Sequence, residues 1–173
     1  MNRARVVDAW ANLNKYDAAI SNLKKSAELQ PDDPRSQLNL ARTLAHINRH
    51  AEAIVYYRKV LKLTPKDPRL LNELALLLAT HPDPKIRNGK EAVKLSRRAC
   101  RLTNNRIPAT LETLAAAYAE VGNFPKAIET MEKALKLAQK SKNPKLIAKL
   151  TMQIEQYRQN QSLRLPQKIP PSP

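Results

Sequence analysis

The sequence predicts an all-α fold, a right-handed solenoid of stacked helical hairpins, and three observations carry that prediction. Of 173 residues, 42% are apolar but only 4% are aromatic and two are glycine, a composition that starves strands and favours helices packed through alanine and leucine. Apolar residues recur at helical spacing along most of the chain. Landmarks also repeat: Pro31 and Pro65, Pro34 and Pro68, and the pairs Ala19-Ile20 and Ala53-Ile54 are each 34 residues apart. Ala92-Val93 and Ala127-Ile128 continue the series at spacings of 39 and 35. A lone hairpin cannot bury both of its apolar faces, so repeated hairpins must stack.

The clearest unit is 111–137. Ala115, Ala117, Ala127 and Ala134 are small where two helices must touch, and Leu111, Leu114, Tyr118, Phe124, Ile128, Met131 and Leu135 fill the space between. Gly122-Asn123 supplies the turn. The expected organisation is one solenoid over 1–161, with repeats at about 1–33, 34–67, 68–106 and 107–140 and a capping helix over 144–161.

In the first repeat, Val6, Val7, Ala9, Trp10 and Leu13 form one helix face. A second helix over about 16–30 turns Ala19, Ile20, Leu23, Ser26 and Leu29 inward. Pro31 ends it by disfavouring helix in the residue before it. The second repeat opens at Pro34, suited to a first turn whose N–H has no partner. Its inner faces are Leu40, Ala41, Leu44, Ala53, Ile54, Tyr57, Val60 and Leu61, with Asn48 in the turn.

The third repeat has a regular first helix over 68–80, then an insertion, HPDPKIRNG, whose two prolines exclude continued helix. Its second helix runs over about 90–103 with Ala92, Val93, Leu95, Ala99 and Leu102 inward. The capping helix places Leu146, Ile147, Leu150, Ile154 and Tyr157 inward and Lys145, Lys149, Gln153, Gln156 and Arg158 outward. Residues 162–173 form a proline-rich tail, expected to be extended or disordered.

A 34-residue helix–turn–helix period with these alanines and prolines resembles the tetratricopeptide repeat family over about 160 residues. The run from LATHPDPKIRNGKEAVKLSRRAC to TLAAAYAEVGNFPKAI is similar to repeats of bacterial multi-domain proteins of that family. Some of those carry a membrane-embedded glycosyltransferase-like region; none lies here, so no transferase activity is implied. The resemblance implies a concave surface of first helices that binds extended peptides. The matching positions are Asp8 and Asn12; Arg35, Leu38, Arg42 and His46; Arg69, Asn72 and Leu76; and Glu112, Ala116 and Glu120. The family's clamp for chaperone tails is not matched: Asn39 and Arg69 fit it, whereas Ala4, Asp8 and Glu73 do not.

The residues themselves give no sign of chemistry. His46, His50 and His81 have no completing ligand set, Cys100 sits among apolar neighbours, and two isolated glycines cannot build a phosphate loop. No enzyme, cofactor or metal is expected. A single cysteine excludes an intrachain disulfide. No apolar run is long enough to span a membrane, and the opening MNRARVVDAWANLNKYD has no signal core. Cytoplasmic is the default location, extracytoplasmic if the chain is a processed or C-terminal part of a larger protein.

The formal charge is +16, and it is clustered: residues 85–106 and 136–173 each carry net +7, whereas 107–135 carry −2. Lys90, Lys94, Arg97 and Arg101 share one helical stripe, read as a solvated convex face before a docking surface. Arg35, Arg42 and Arg69 make the middle of the groove basic, which favours an acidic or carboxylate-bearing segment.

The expected function is therefore a non-enzymatic protein-interaction scaffold. Its groove contacts are Arg35, Leu38, Arg42, His46, Arg69 and Asn72. The alternative is a structural subunit assembling end to end into a filament or array, with Val6, Trp10 and Leu13 as the uncapped end. A nucleic-acid or membrane-surface adaptor ranks third, because stacking aromatics and reading motifs are missing. Asn160-Gln161-Ser162 is an N-glycosylation sequon, relevant only to a secreted chain.

Overall fold

The computed structural model describes residues 17–164, which form eight helices and no strand. The described chain divides after Pro65 into two units. The first holds α1 (17–29), α2 (Pro34–His46) and α3 (His50–Leu63). The second holds α4 (Pro68–Thr80), α5 (Gly89–Leu102), α6 (Pro108–Glu120), α7 (Phe124–Lys140) and α8 (Pro144–Arg158).

Punctuation residues set these boundaries. Proline opens α2, α4, α6 and α8, where its missing N–H costs no bond. Asp33, Asp67, Asn88, Asn123 and Asn143 cap α2, α4, α5, α7 and α8 through side-chain oxygens that accept first-turn N–H groups. Left-handed residues then end most helices. Asn48, Asn105, Gly122, Lys142 and Asn160 have φ between 50° and 76°. In each case an N–H one or zero residues later bonds back five positions: Arg49 to Leu44, Asn105 to Cys100, Asn123 to Tyr118, Asn143 to Ala138 and Gln161 to Gln156.

The first unit buries Ile20, Ala27, Leu40, Ala41, Leu44, Ala53, Ile54, Tyr57 and Val60. Gln37 Nε2 donates to Ala27 O at 3.1 Å, which ties α1 to α2. Two expectations fail here. Leu29 is 83% exposed and Ala19 is exposed, while Ala27 takes the inward place. Leu29 lies two residues beyond Ala27, about 200° round the helix, and so points away.

In the second unit α6 packs on α4, α5 and α7, and α8 packs on α7. Leu70, Leu71, Leu74, Ala75, Leu78, Ala92, Ala99, Leu111, Ala115, Met131, Ala134, Leu150 and Tyr157 are buried. Leu102, expected inward, is 43% exposed. Thr103 replaces it, with its hydroxyl bonded to Ala99 O and beside Thr110. Cys100 is a buried free thiol that donates to Thr110 O at 3.2 Å, and burial raises its pKa.

Two local features fix the connection between α4 and α5 and its approach to α6. The loop His81–Asn88 is ordered by its own bonds: Asp83 N–H to His81 Nδ1 at 3.0 Å and Asn88 N–H to Leu78 O at 2.9 Å. At its end, a Cβ on Gly89 would sit 2.7 Å from Val121 Cγ1 and 3.0 Å from Glu120 Cγ, so any larger residue would displace side chains where α5 starts against the end of α6.

Candidate functional site

Three helices and the start of the tail surround a cavity of about 280 Å³ in the second unit. α4 contributes Asn72, Leu76 and Thr80; α6 contributes Ala109, Glu112, Thr113 and Ala116; α8 contributes Lys149 and Gln153; the tail contributes Leu163 and Arg164. Most lie in i, i+4 rows, which is how a helix presents one face. The alanines keep the α6 wall low.

The cavity is lined by the cations Lys149 and Arg164 as well as by acceptors. Thr80 and Thr113 spend their hydroxyl protons on their own helices, at Leu76 O and Ala109 O, 2.7 and 3.1 Å away. Asn72 Oδ1 and Gln153 Oε1 are buried and have no hydrogen-bond partner. Glu112 pairs with Lys149 from α8. Behind the lining, Tyr157 OH is buried without a hydrogen-bond partner; burial first, and then the Glu112 charge, push its pKa up. Buried acceptors left unmade cost about 1–3 kcal/mol each, and these oxygens become reachable only if the side chains covering them move aside. The N–H groups of an extended main chain would then be matching donors.

At the end of α6, Glu120 joins three parts of the chain. Arg87 Nε donates to Oε1 at 2.8 Å, and Arg87 Nη1 donates to His81 O and Pro82 O at 2.9 and 2.7 Å. Arg164 Nη2 lies 2.8 Å from Oε2. Ser162 Oγ donates to Ala119 O at 2.9 Å.

Of the residues singled out from sequence, Asn72 lines this cavity. Arg69 lies on the exposed side of the first turn of α4, its N–H bonded to the capping Asp67. Arg35, Leu38, Arg42 and His46 lie on α2 in the first unit. Arg35 is exposed and pairs with Asp33 at 3.3 Å; Leu38 is half-buried; Arg42 and His46 are exposed. Val6, Trp10 and Leu13 lie outside the described residues. Asn160 is exposed in a left-handed turn. Lys90, Lys94, Arg97 and Arg101 are all exposed along α5.

Sequence reading missed Lys149 and Gln153, which it assigned to the outward face of α8. The pair of Lys149 with Glu112 turns part of the polar side of α8 toward α6. It also missed Arg87 and Arg164 as partners of Glu120. The signal present in the sequence was opposite charge: net −2 in 107–135 between two segments of net +7. Among the described residues no group of three or more His, Cys, Asp or Glu side chains gathers as a metal site, and no helix is long and apolar enough to cross a membrane.

Residues 5–84 and residues 109–141 each match a family model described as Tetratricopeptide repeat, and together these segments span more than half of the chain. No match was found among curated proteins. Among solved structures, MamA (41-end) from Desulfovibrio magneticus RS-1 is similar, with TM-score 0.63 and 19% identity over 92% of this chain and 96% of that one. A MamA RS-1 double mutant gives TM-score 0.63 and 19% identity over 91% and 94%. TTC0263, a thermophilic repeat protein of Thermus thermophilus, gives TM-score 0.56 and 22% identity over 91% and 84%.

Proposed function

This chain belongs to the tetratricopeptide repeat family, and on that premise we propose that it is a non-enzymatic scaffold holding an extended segment of another protein. The family match and the all-helical repeat fold support the scaffold reading. The observation that carries the extended segment is the cavity of α4, α6 and α8, with Asn72 Oδ1 and Gln153 Oε1 buried and unmatched. A main chain running through it would supply the missing donors.

In the first unit, acidic residues of a partner would meet Arg35, Arg42 and His46, with Leu38, on α2; in the second they would meet Arg69, one turn before Asn72 on α4. A guanidinium and a carboxylate make a strong, oriented pair. The test is binding of a fluorescein-labelled peptide alternating Glu and Leu to the full chain, read by anisotropy. Arg42→Glu with Arg69→Glu should weaken it by about tenfold or more, with the helical circular dichroism unchanged. Equal binding by wild type and variant would reject these residues as the site.

A further inference from the structure

The tail does not leave the fold at the end of α8. The left-handed turn at Asn160 (φ 57°) closes the helix, with Gln161 N–H bonded to Gln156 O at 2.9 Å, and the next three residues cross to α6. Each makes a different kind of contact there. Ser162 donates its hydroxyl to the main-chain carbonyl of Ala119. Leu163 packs on the apolar cluster that contains Leu114, Ala115, Leu150 and Ile154. Arg164 sets its guanidinium against Glu120.

These three residues have no regular secondary structure and form no ladder with the helices. They bind as an extended peptide ligand does: one main-chain anchor, one apolar side chain and one close charge contact, in which Arg164 approaches Glu120 Oε2 without a hydrogen bond. Leu163 and Arg164 also line the cavity that holds the unmatched Asn72 and Gln153 oxygens. The pairing is unequal in a telling way. Glu120 is only 13% exposed and already receives Arg87 on its other oxygen, while the Arg164 side chain is 37% exposed. Arg164 is therefore the member that can leave, and Glu120 and Arg87 stay as a formed socket.

We infer that Ser162–Arg164 occupies in cis a peptide-recognition surface on the second unit, and that the external ligand of this surface is an extended basic segment carrying an aliphatic residue followed by arginine, which binds by displacing the tail. The inference rests on the reading of this face as a peptide groove and adds the sign of the ligand. The α6 end of this face selects a cation, whereas acidic residues are assigned to Arg69 on its α4 side and, in the first unit, to Arg35 and Arg42.

The test uses the full chain and a fluorescein-labelled peptide with the sequence of residues 159–173, QNQSLRLPQKIPPSP, added in trans. Leu163→Asp with Arg164→Glu releases the tail in cis. A tethered segment acts at an effective concentration in the millimolar range, so the released-tail variant should bind the peptide at least about tenfold more tightly than wild type. Adding Glu120→Gln to that variant should weaken the peptide by about tenfold, and a peptide with its arginine replaced by glutamate should not bind. Arg164→Gln alone, a change at a partly exposed side chain, repeats the comparison should the double variant lose helicity. Equal affinity of wild type and both tail variants, or no binding by any of them, would overturn the inference. The Glu–Leu peptide is read in parallel. Its failure with the tail result intact removes the acidic specificity and leaves the self-occupied groove.

Discussion

Helices α4 and α6 each open a helical hairpin, α4 with α5 and α6 with α7, yet they end differently. α6 stops at Gly122 (φ 76°), with Asn123 N–H bonded to Tyr118 O, and α7 begins at once. α4 has no left-handed stop. His81 takes an extended conformation, and eight residues, His81–Asn88, intervene before α5. The tight turn only reverses the chain. The long loop brings Arg87 to Glu120 and thereby fixes a carboxylate beside Arg164, which lines the cavity. An insertion that looks like a blemish in the repeat thus builds the acidic socket that the tail uses.

The largest expected effect that separates the two connections is at that socket. Glu120→Ala leaves Arg87 largely buried and without its carboxylate, and should cost about 2–3 kcal/mol in urea unfolding. A loss below the effect of an ordinary surface substitution would mean that the loop is held by its own bonds alone. Gly89→Ala comes next. Its Cβ would meet Val121 Cγ1 at 2.7 Å, so the Val121 side chain or the helices must give way, at about 1–3 kcal/mol. Gly122→Ala tests the tight turn. Nothing obstructs a Cβ there, so the cost is only that of φ 76° for an L residue, about 1 kcal/mol. If Gly122→Ala proves costlier than Gly89→Ala, the comparison between the two connections is wrong.

The smallest effect concerns pH. The Arg49 hydrogen bonds first, and then its charge, hold the Glu52 carboxyl below its ordinary value of 4.5. A carboxyl depressed on folding stabilises the protein above the unfolded pKa and loses that contribution as pH falls through the folded one. Stability should therefore be flat for this group from neutral pH down to about 5 and decline below the usual glutamate range. Glu52→Gln should remove that part of the acid slope and no more, because the pair is nearly half exposed.

Much of the fold was legible because punctuation residues act locally. Pro34, Pro68, Pro108 and Pro144 mark first turns, and Asn48 and Gly122 mark stops, through backbone geometry that needs no tertiary context. The inward faces of the central helices followed from periodicity. Errors came at helix ends, where periodicity runs out: Leu29 and Leu102 are the last residues of their helices and point to solvent. The candidate site was only partly legible. Asn72 stood on the expected face of α4. Lys149, Gln153, Arg87 and Arg164 did not, since each meets α4 or α6 from a segment whose approach depends on packing rather than on period.

The most direct test is amide chemical-shift mapping of the isotope-labelled Leu163→Asp, Arg164→Glu chain during titration with the 159–173 peptide. Recognition on the face of α4, α6 and α8 predicts shifts at Asn72, Ala116, Glu120 and Gln153, with Lys94 and Arg97 on α5 unmoved. Shifts confined to the exposed side of α5 and α7, with Asn72 and Gln153 unchanged, would contradict it.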